Sequence, residues 1–323
     1  MNFEGKRVLV TGAAGFIGSN LTYELIKLGA SVFGIDNLYN GRIENFEEIL
    51  GSSSFQFIKG DIRDLSLLLE VFKDIDIVYH QAAFTSVPQS ILMPESCNDV
   101  NVNGTLNVLN AARKRDVNKI IYASSSSVYG DTLTLPKKED MPRVPISPYG
   151  VSKLACEAYM EAFHKIYGLK TVSLRYFNVF GPRQQDSPYS GVIAIWLGRI
   201  LANKDLIIFG DGEQSRDFTY VKDVVRANLL AAEHDISGEI INLGSGSPIK
   251  LKDLARLMLK ITNKEDLKIT YADPRPGDII HSYADITKAN KLLKFQPKYT
   301  QEDGLRDYIN WYCEKYNENL KIS

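Results

Sequence analysis

The chain has 323 residues, 44% of them apolar and 24% charged, with a formal net charge of −1. This is an ordinary globular composition for one large domain or two intimate ones; the near-neutral charge gives no footing for non-specific nucleic-acid binding. Apolar runs such as Val8–Val10 and Val192–Ile195 are far too short to span a bilayer, so no membrane partner is expected. Met1–Arg7 carries charges but leads into no apolar block, so no signal peptide is read and a cytoplasmic protein is expected. Cys97, Cys156 and Cys313 lie far apart, as reduced thiols do. His80, His164, His234 and His281 have no metal-ligand spacing, so no metal site is expected.

The first expected strand, Arg7–Thr11, runs into Gly12-Ala13-Ala14-Gly15-Phe16-Ile17-Gly18 and a helix over Ile17–Leu28. Glycines there permit a tight turn, and the new helix presents unpaired N–H groups to a pyrophosphate. Its position at the first strand–helix junction is the context such a pattern requires. The second strand, Ser31–Ile35, ends in Asp36, whose carboxylate suits the ribose hydroxyls of an adenosine and repels a 2′-phosphate, favouring NAD over NADP; Arg42 is the nearby residue that argues the other way. The third, Phe55–Lys59, is followed by Asp61, placed to accept from an adenine amino group, and by a helix over Leu65–Phe72. The fourth, Ile77–His80, leads to the small residues Gln81-Ala82-Ala83.

A helix over Asn103–Arg115 precedes the fifth strand, Lys119–Ser124, which enters the serine-rich stretch Ser124-Ser125-Ser126-Ser127-Val128-Tyr129-Gly130. Next comes a helix over Tyr149–Tyr167, with Ser147 suited to cap it and Pro148 to its first position. Tyr149 and Lys153, four apart, share one face of that helix. Moving a phenol from about 10 to neutral pH takes about 4 kcal/mol, and Lys153 with a positive nicotinamide is expected to supply it. The sixth strand is Thr171–Arg175. Alternation of this kind predicts an α/β fold: a Rossmann-type doubly wound parallel sheet with its ligand at the carboxyl ends of the strands. After about Phe180 the rhythm loosens. Residues 1–180 are read as the dinucleotide-binding domain and 181–323 as a smaller α/β substrate-binding lobe, the chain re-crossing between them.

These blocks, together with Asn101-Val102-Asn103-Gly104-Thr105, resemble the extended short-chain dehydrogenase/reductases over nearly the whole chain. Arg175-Tyr176-Phe177-Asn178-Val179-Phe180-Gly181-Pro182-Arg183-Gln184, Gly210–Phe218 and Arg275-Pro276-Gly277-Asp278 resemble that family's nucleotide-sugar half. The resemblance implies Tyr149 as base, Lys153 as the residue that holds the ribose and tunes it, and Ser125 as the catalytic serine. It implies NAD held by Gly12, Gly15, Phe16, Ile17, Gly18, Asp36, Asn37, Asn40, Gly41, Asp61, Ile62, Gln81, Ala82, Ala83, Thr85, Tyr149, Lys153 and Tyr176. It implies a UDP-sugar held by Ser86, Ser125, Ser126, Tyr149, Asn178, Gly191, Val192, Ile207, Phe209, Arg216, Arg275, Asp278 and Ser282. Asn178, Arg216 and Arg275 look like the diphosphate ligands, as guanidinium forks suit phosphate, and Phe209 like a neighbour of the uracil.

Dehydratases of the family carry T-D-E before V-Y-G, and decarboxylases a Glu; here those places hold Ser125, Ser126 and Ser127. That leaves 4-epimerisation through a 4-keto sugar. UDP-glucuronate 4-epimerases (or those acting on the N-acetylhexosaminuronate) share the serine string, but usually carry Thr where this chain has Asn178. Pro182-Arg183-Gln184-Gln185-Asp186-Ser187-Pro188 is instead similar to 4-epimerases of UDP-GlcNAc and its relatives. Ser282 falls where epimerases restricted to plain hexoses carry Tyr. A non-catalytic NAD sensor or scaffold would be expected to lose Tyr149, Lys153 or the serine, and all are present. The family also implies a homodimer, with Ser96–Lys114 and Tyr149–Tyr167 as the pairing segments.

Overall fold

A seven-stranded sheet organises the molecule, in a computed structural model that describes residues 2–184, 191–274, 279–316 and 320. Its first six strands are β1 (Arg7–Thr11), β2 (Ser31–Asp36), β3 (Phe55–Lys59), β4 (Ile77–His80), β5 (Lys119–Ser125) and β6 (Lys170–Tyr176). Each lies within a residue of its expected bounds. They are covered by helices α1 (Phe16–Lys27), α2 (Leu65–Val71), α3 (Val87–Leu92), α4 (Pro94–Asn98), α5 (Gly104–Lys114) and α6 (Pro148–Tyr167). All sheet pairings are parallel, and the order is Glu239–Leu243, β6, β5, β4, β1, β2, β3. The direction of winding reverses between β1 and β4, which leaves a crevice at their carboxyl ends.

Both faces of the sheet are covered, so its strands read as continuous apolar runs rather than as alternating ones. Val8 and Val10 join a core with Leu21 and Leu25 of α1, whereas Leu9 faces a second core with Val108 and Leu109 of α5. Strand Glu239–Leu243 was not among the expected strands. It comes from beyond residue 180 and pairs with β6, Ile241 opposite Leu174. The helix before it, Val221–Glu233, packs against α1. The signal was there: an apolar run between Gly238 and Gly244.

Among the described residues, three small sheets lie outside the large one. Val179–Phe180 pairs with Thr219–Tyr220; Leu206–Phe209 pairs with Ile269–Ala272; and Ser215–Arg216 lies between Ile249–Lys250 and His281–Ser282. No helix among the described residues is long and apolar enough to cross a membrane.

Candidate active site

One cavity of about 1170 Å³ runs over the carboxyl ends of the strands, and both halves of the chain line it. At one end β1 turns into α1. Gly12 has φ +67°, and a Cβ there would lie 2.6 Å from the backbone N of Ala82; a Cβ on Gly18 would lie 2.1 Å from the Gly12 carbonyl oxygen. Neither contact tolerates a side chain, so glycine sets how closely α1 approaches the strand ends. Gly15 is the N-cap of α1, and no side chain caps the helix. Its first N–H groups and positive dipole end therefore open on the cavity, as an anion site requires.

Asp36, at the end of β2, is buried, and its carboxylate accepts from the N–H groups of Ala14 at 3.0 Å and Leu38 at 2.8 Å. Burial pushes its pKa up, against those hydrogen bonds. A carboxylate has about four acceptor positions, so these backbone bonds do not exhaust it for hydroxyls. Arg42 is exposed and outside the cavity lining. Asp61 accepts from Asn37 Nδ2 at 2.8 Å and from the Arg63 fork; those bonds to Arg63 hold its pKa well below the carboxylate range. Arg63 also lines the cavity and was missed in the sequence, although it stands two places from Asp61. An uncapped helix end, glycine closeness and an acidic pair at the far end fit a dinucleotide lying across the crevice.

Tyr149 enters the cavity from the first turn of α6. Ser147 caps that helix, accepting from Gly150 N–H at 3.1 Å, and Pro148 occupies its first turn. The Tyr149 N–H donates to Ser90 Oγ of α3 at 3.2 Å. The Tyr149 phenol keeps a face open to the cavity, yet enclosure by the walls pushes its pKa up to about 12, against the hydrogen bond with Ser125. The Lys153 ammonium donates to the Ala123 carbonyl at 2.7 Å and lies 5.8 Å from the Tyr149 ring centre. Burial lowers its own pKa to about 8, which still leaves it mostly cationic at neutral pH. The protein's own groups thus hold Tyr149 as a phenol, and its deprotonation depends on charge brought by what binds beside it.

Ser125 ends β5, accepts from Ser127 N–H at 3.2 Å, and starts the short 3-10 turn Ser126–Tyr129. Beneath, His80 is fully buried between Thr11 Oγ1 at 2.7 Å and Thr105 Oγ1 at 2.9 Å. Burial, with Lys153 nearby, lowers its pKa to about 3 and keeps it neutral. Asn101 sits in a single π-helical turn, Asp99–Asn103, and its amide joins Phe84 N–H at 2.7 Å to Ser152 Oγ at 2.8 Å. Gln81 reaches Tyr176 Oη at 3.1 Å, and Tyr176 donates to Asn228 at 2.9 Å.

The second half closes the other end. Asn178, Gly191, Arg216 and Ser282 all line the cavity, with Ser86, Ser125 and Ser126 facing them from the first half. Ser282 stands directly opposite Arg216 in the strand register. Asp217, fully buried, accepts from the N–H groups of Ser245, Gly246 and Ala284 and so fixes both strands. Every residue expected to hold the dinucleotide lines the cavity. Val192, Ile207 and Phe209 do not. Val192 packs on the main core, and strand alternation buries Leu206 and Ile208 while leaving Ile207 and Phe209 half-exposed on the other face. Arg275 and Asp278 lie outside the described residues.

A glycine-loop crevice beside a serine, tyrosine and lysine on a doubly wound sheet defines an NAD-binding enzyme of the short-chain dehydrogenase/reductase type. A model of the NAD dependent epimerase/dehydratase family matches residues 8–244. A putative UDP-glucose 4-epimerase of Methanocaldococcus jannaschii is 40% identical over 94% of this chain and 97% of its own. The UDP-N-acetylglucosamine 4-epimerase of Methanobrevibacter ruminantium, solved with UDP-N-acetylmuramic acid, superposes with a TM-score of 0.92 at 40% identity, covering 97% of this chain and 99% of that one. The UDP-glucose 4-epimerase of Thermotoga maritima, solved with UDP-glucose, gives 0.91 at 38% identity, covering 96% and 99%. The chain belongs to the NAD dependent epimerase/dehydratase family and is an NAD-dependent epimerase.

Proposed function

We propose that the protein interconverts the C4 epimers of UDP-linked sugars, with UDP-GlcNAc and UDP-GalNAc as its principal pair and UDP-Glc and UDP-Gal as additional substrates. The observation that carries the reaction class is the distribution of acids. Among the described residues, the only carboxylates lining the cavity are Asp36 and Asp61, both at the adenosine end. The serine turn offers hydroxyls and no carboxylate, so elimination or decarboxylation lacks an acid to drive it. Two relatives that act on UDP-GlcNAc and UDP-glucose as 4-epimerases support the same reading.

In this reading Ser125 stands between the sugar's C4 hydroxyl and Tyr149, and Tyr149 takes that proton. NAD, when bound, supplies hydride acceptance and a positive ring. Lys153 holds the ribose and adds a second positive charge near the phenol. Arg216 and Arg275 anchor the diphosphate, with Asn178 beside them. Loss of hydrogen at C4 leaves a 4-keto sugar, which turns about the diphosphate anchor and receives hydrogen on its other face. Wild-type protein incubated with UDP-GlcNAc should yield UDP-GalNAc by proton NMR; turnover of UDP-Glc alone would overturn the choice of sugar. Arg216→Ala should remove roughly 1.5–3 kcal/mol of substrate binding, read as about a ten- to hundredfold rise in KM. An unchanged KM would place the diphosphate elsewhere.

A homodimer through α5 and α6 belongs to the same proposal. Val151, Tyr159 and Ile166 are exposed on α6, at spacings that bring them to one helical side. A large apolar stripe of that kind is suited to burial against a second copy.

A further inference from the structure

Glu157 and Arg175 form an ion pair whose side chains are both 0% exposed. Arg175 Nε and Nη2 donate to the two Glu157 oxygens, each at 2.8 Å. Glu157 lies on α6, one turn beyond Lys153 and two beyond Tyr149; Arg175 lies on β6. A buried ion pair adds little stability over well-packed apolar residues of equal volume, so its stability alone does not account for it. Each partner, however, holds one further group. The Ser124 hydroxyl donates to Glu157 Oε1 at 2.5 Å. Arg175 Nη1 donates to Tyr129 Oη at 2.7 Å, and the Tyr129 hydroxyl passes its own proton to Asn242 Oδ1 at 2.6 Å. Asn242 is then fixed by its side-chain N–H to the Lys137 carbonyl at 2.8 Å and by its backbone N–H to Glu139 Oε1 at 2.8 Å.

Ser124 and Tyr129 are the two ends of the serine turn. Between them lie Ser125, Ser126 and Ser127, which line the cavity; Ser124 also borders it, but is buried with its hydroxyl turned to Glu157. We propose that the Glu157–Arg175 pair is a positioning device for catalysis, gripping the serine turn at its entry through Ser124 and at its exit through Tyr129, and so setting Ser125 against Tyr149. The geometry suits that task. The helix that carries Tyr149 also carries Glu157, so one rigid element bears both the base and half of the grip. Tyr129 is fully committed, its lone pair to Arg175 and its proton to Asn242, so its ring has a single orientation. A fully satisfied buried network of this kind rigidifies what it touches. Neither Glu157 nor Arg175 lines the cavity, so both act through the turn and not on the sugar.

The inference rests on the proposed role of Ser125. Ser124→Ala releases the entry and Tyr129→Phe the exit, and both leave the ion pair whole; Glu157→Gln, which risks misfolding, is not needed. Displacement of a reacting group by about 1 Å costs up to about a hundredfold in rate. Each variant should therefore lose about tenfold in kcat per NAD-loaded chain, with KM and bound NAD per chain close to wild type; Tyr129→Phe, which leaves Arg175 Nη1 and Asn242 Oδ1 a partner short, should also melt at a lower temperature. A purely structural role would move the melting temperature or NAD content and leave kcat per NAD-loaded chain intact. Intact kcat in either variant overturns the two-ended grip. Ser125→Ala, assayed beside them, separates two failures. Full activity there overturns the role of Ser125 and the grip with it; lost activity there, with intact Ser124→Ala or Tyr129→Phe, overturns the grip alone.

Discussion

Tyr149→Phe is expected to lower turnover roughly 10²–10⁴-fold, the range for loss of a general base, while UDP-sugar binding and bound NAD stay as they are. The change removes one oxygen and keeps the ring. The hydrogen bond with Ser125 goes with that oxygen, but α6 is started by the Ser147 cap, and α3 is tied to the Tyr149 backbone N–H through Ser90, not to its side chain. Ser125 keeps its bond to Ser127 N–H and so stays in place. The loss should therefore fall on kcat. A second readout is the pH profile. The wild-type rate should climb with pH as the phenol ionises, because burial and the surrounding wall favour the protonated form, pushing it up to about 12 in the protein's own field. Bringing it from there to neutrality takes roughly 7 kcal/mol at 1.36 kcal/mol per pH unit. Lys153 stands 5.8 Å from the ring centre with its ammonium bonded to the Ala123 carbonyl. The residual activity of the Phe variant should lack the ascending limb. Near-normal kcat in that variant would remove Tyr149 from the mechanism.

The placing of charges around Tyr149 was not legible in the sequence, for a reason that applies across the site. Spacing places Tyr149 and Lys153 on one helical face, but it does not say where the lysine's ammonium points. The Ala123 carbonyl, brought up by β5, claims it. Features carried by neighbouring residues were legible: the glycine loop, Asp36 at a strand end, the cap at Ser147, and the small residues after β4. The six strands of the first half were legible because short, mainly apolar runs of four to seven residues alternate there with helical periodicity. Features assembled from distant segments were not. Glu157 and Arg175 are 18 apart on a helix and a strand, and Tyr129 meets Asn242 across 113 residues. Strand Glu239–Leu243 was lost among the glycines that flank it, since a short apolar run names neither its sheet nor its neighbour. Ile207 and Phe209 show the converse. They stand half-exposed on one face of a short strand and are not among the described cavity lining, and spacing alone does not say which face of such a strand meets a ligand.

Ser282→Tyr is expected to separate two kinds of sugar. Turnover of UDP-GlcNAc and UDP-GalNAc should fall by about two orders of magnitude, on the scale of several kcal/mol that overpacking a closed site costs, while UDP-Glc and UDP-Gal are largely spared. Ser282 is 9% exposed and lines the cavity, one strand away from Arg216. If Arg216 holds the diphosphate, the residue beside it lies close to the first carbons of the sugar. There an acetamido group on C2 needs the volume that a phenol would fill. Asp217, next to Arg216, ties this wall together: its N–H donates to the Ser282 carbonyl at 3.0 Å and its carboxylate accepts from Ala284 N–H at 3.1 Å. The wall therefore has little freedom to retreat from a larger side chain, and the added ring must go into the cavity. Because the chain already orders this segment through backbone bonds, the variant should fold and keep its NAD. The decisive comparison is kcat/KM for the acetylated pair over that for the plain pair, in wild type and variant. An equal fall in both pairs would make Ser282 a packing residue, and no change in either would show that its side chain does not face the sugar.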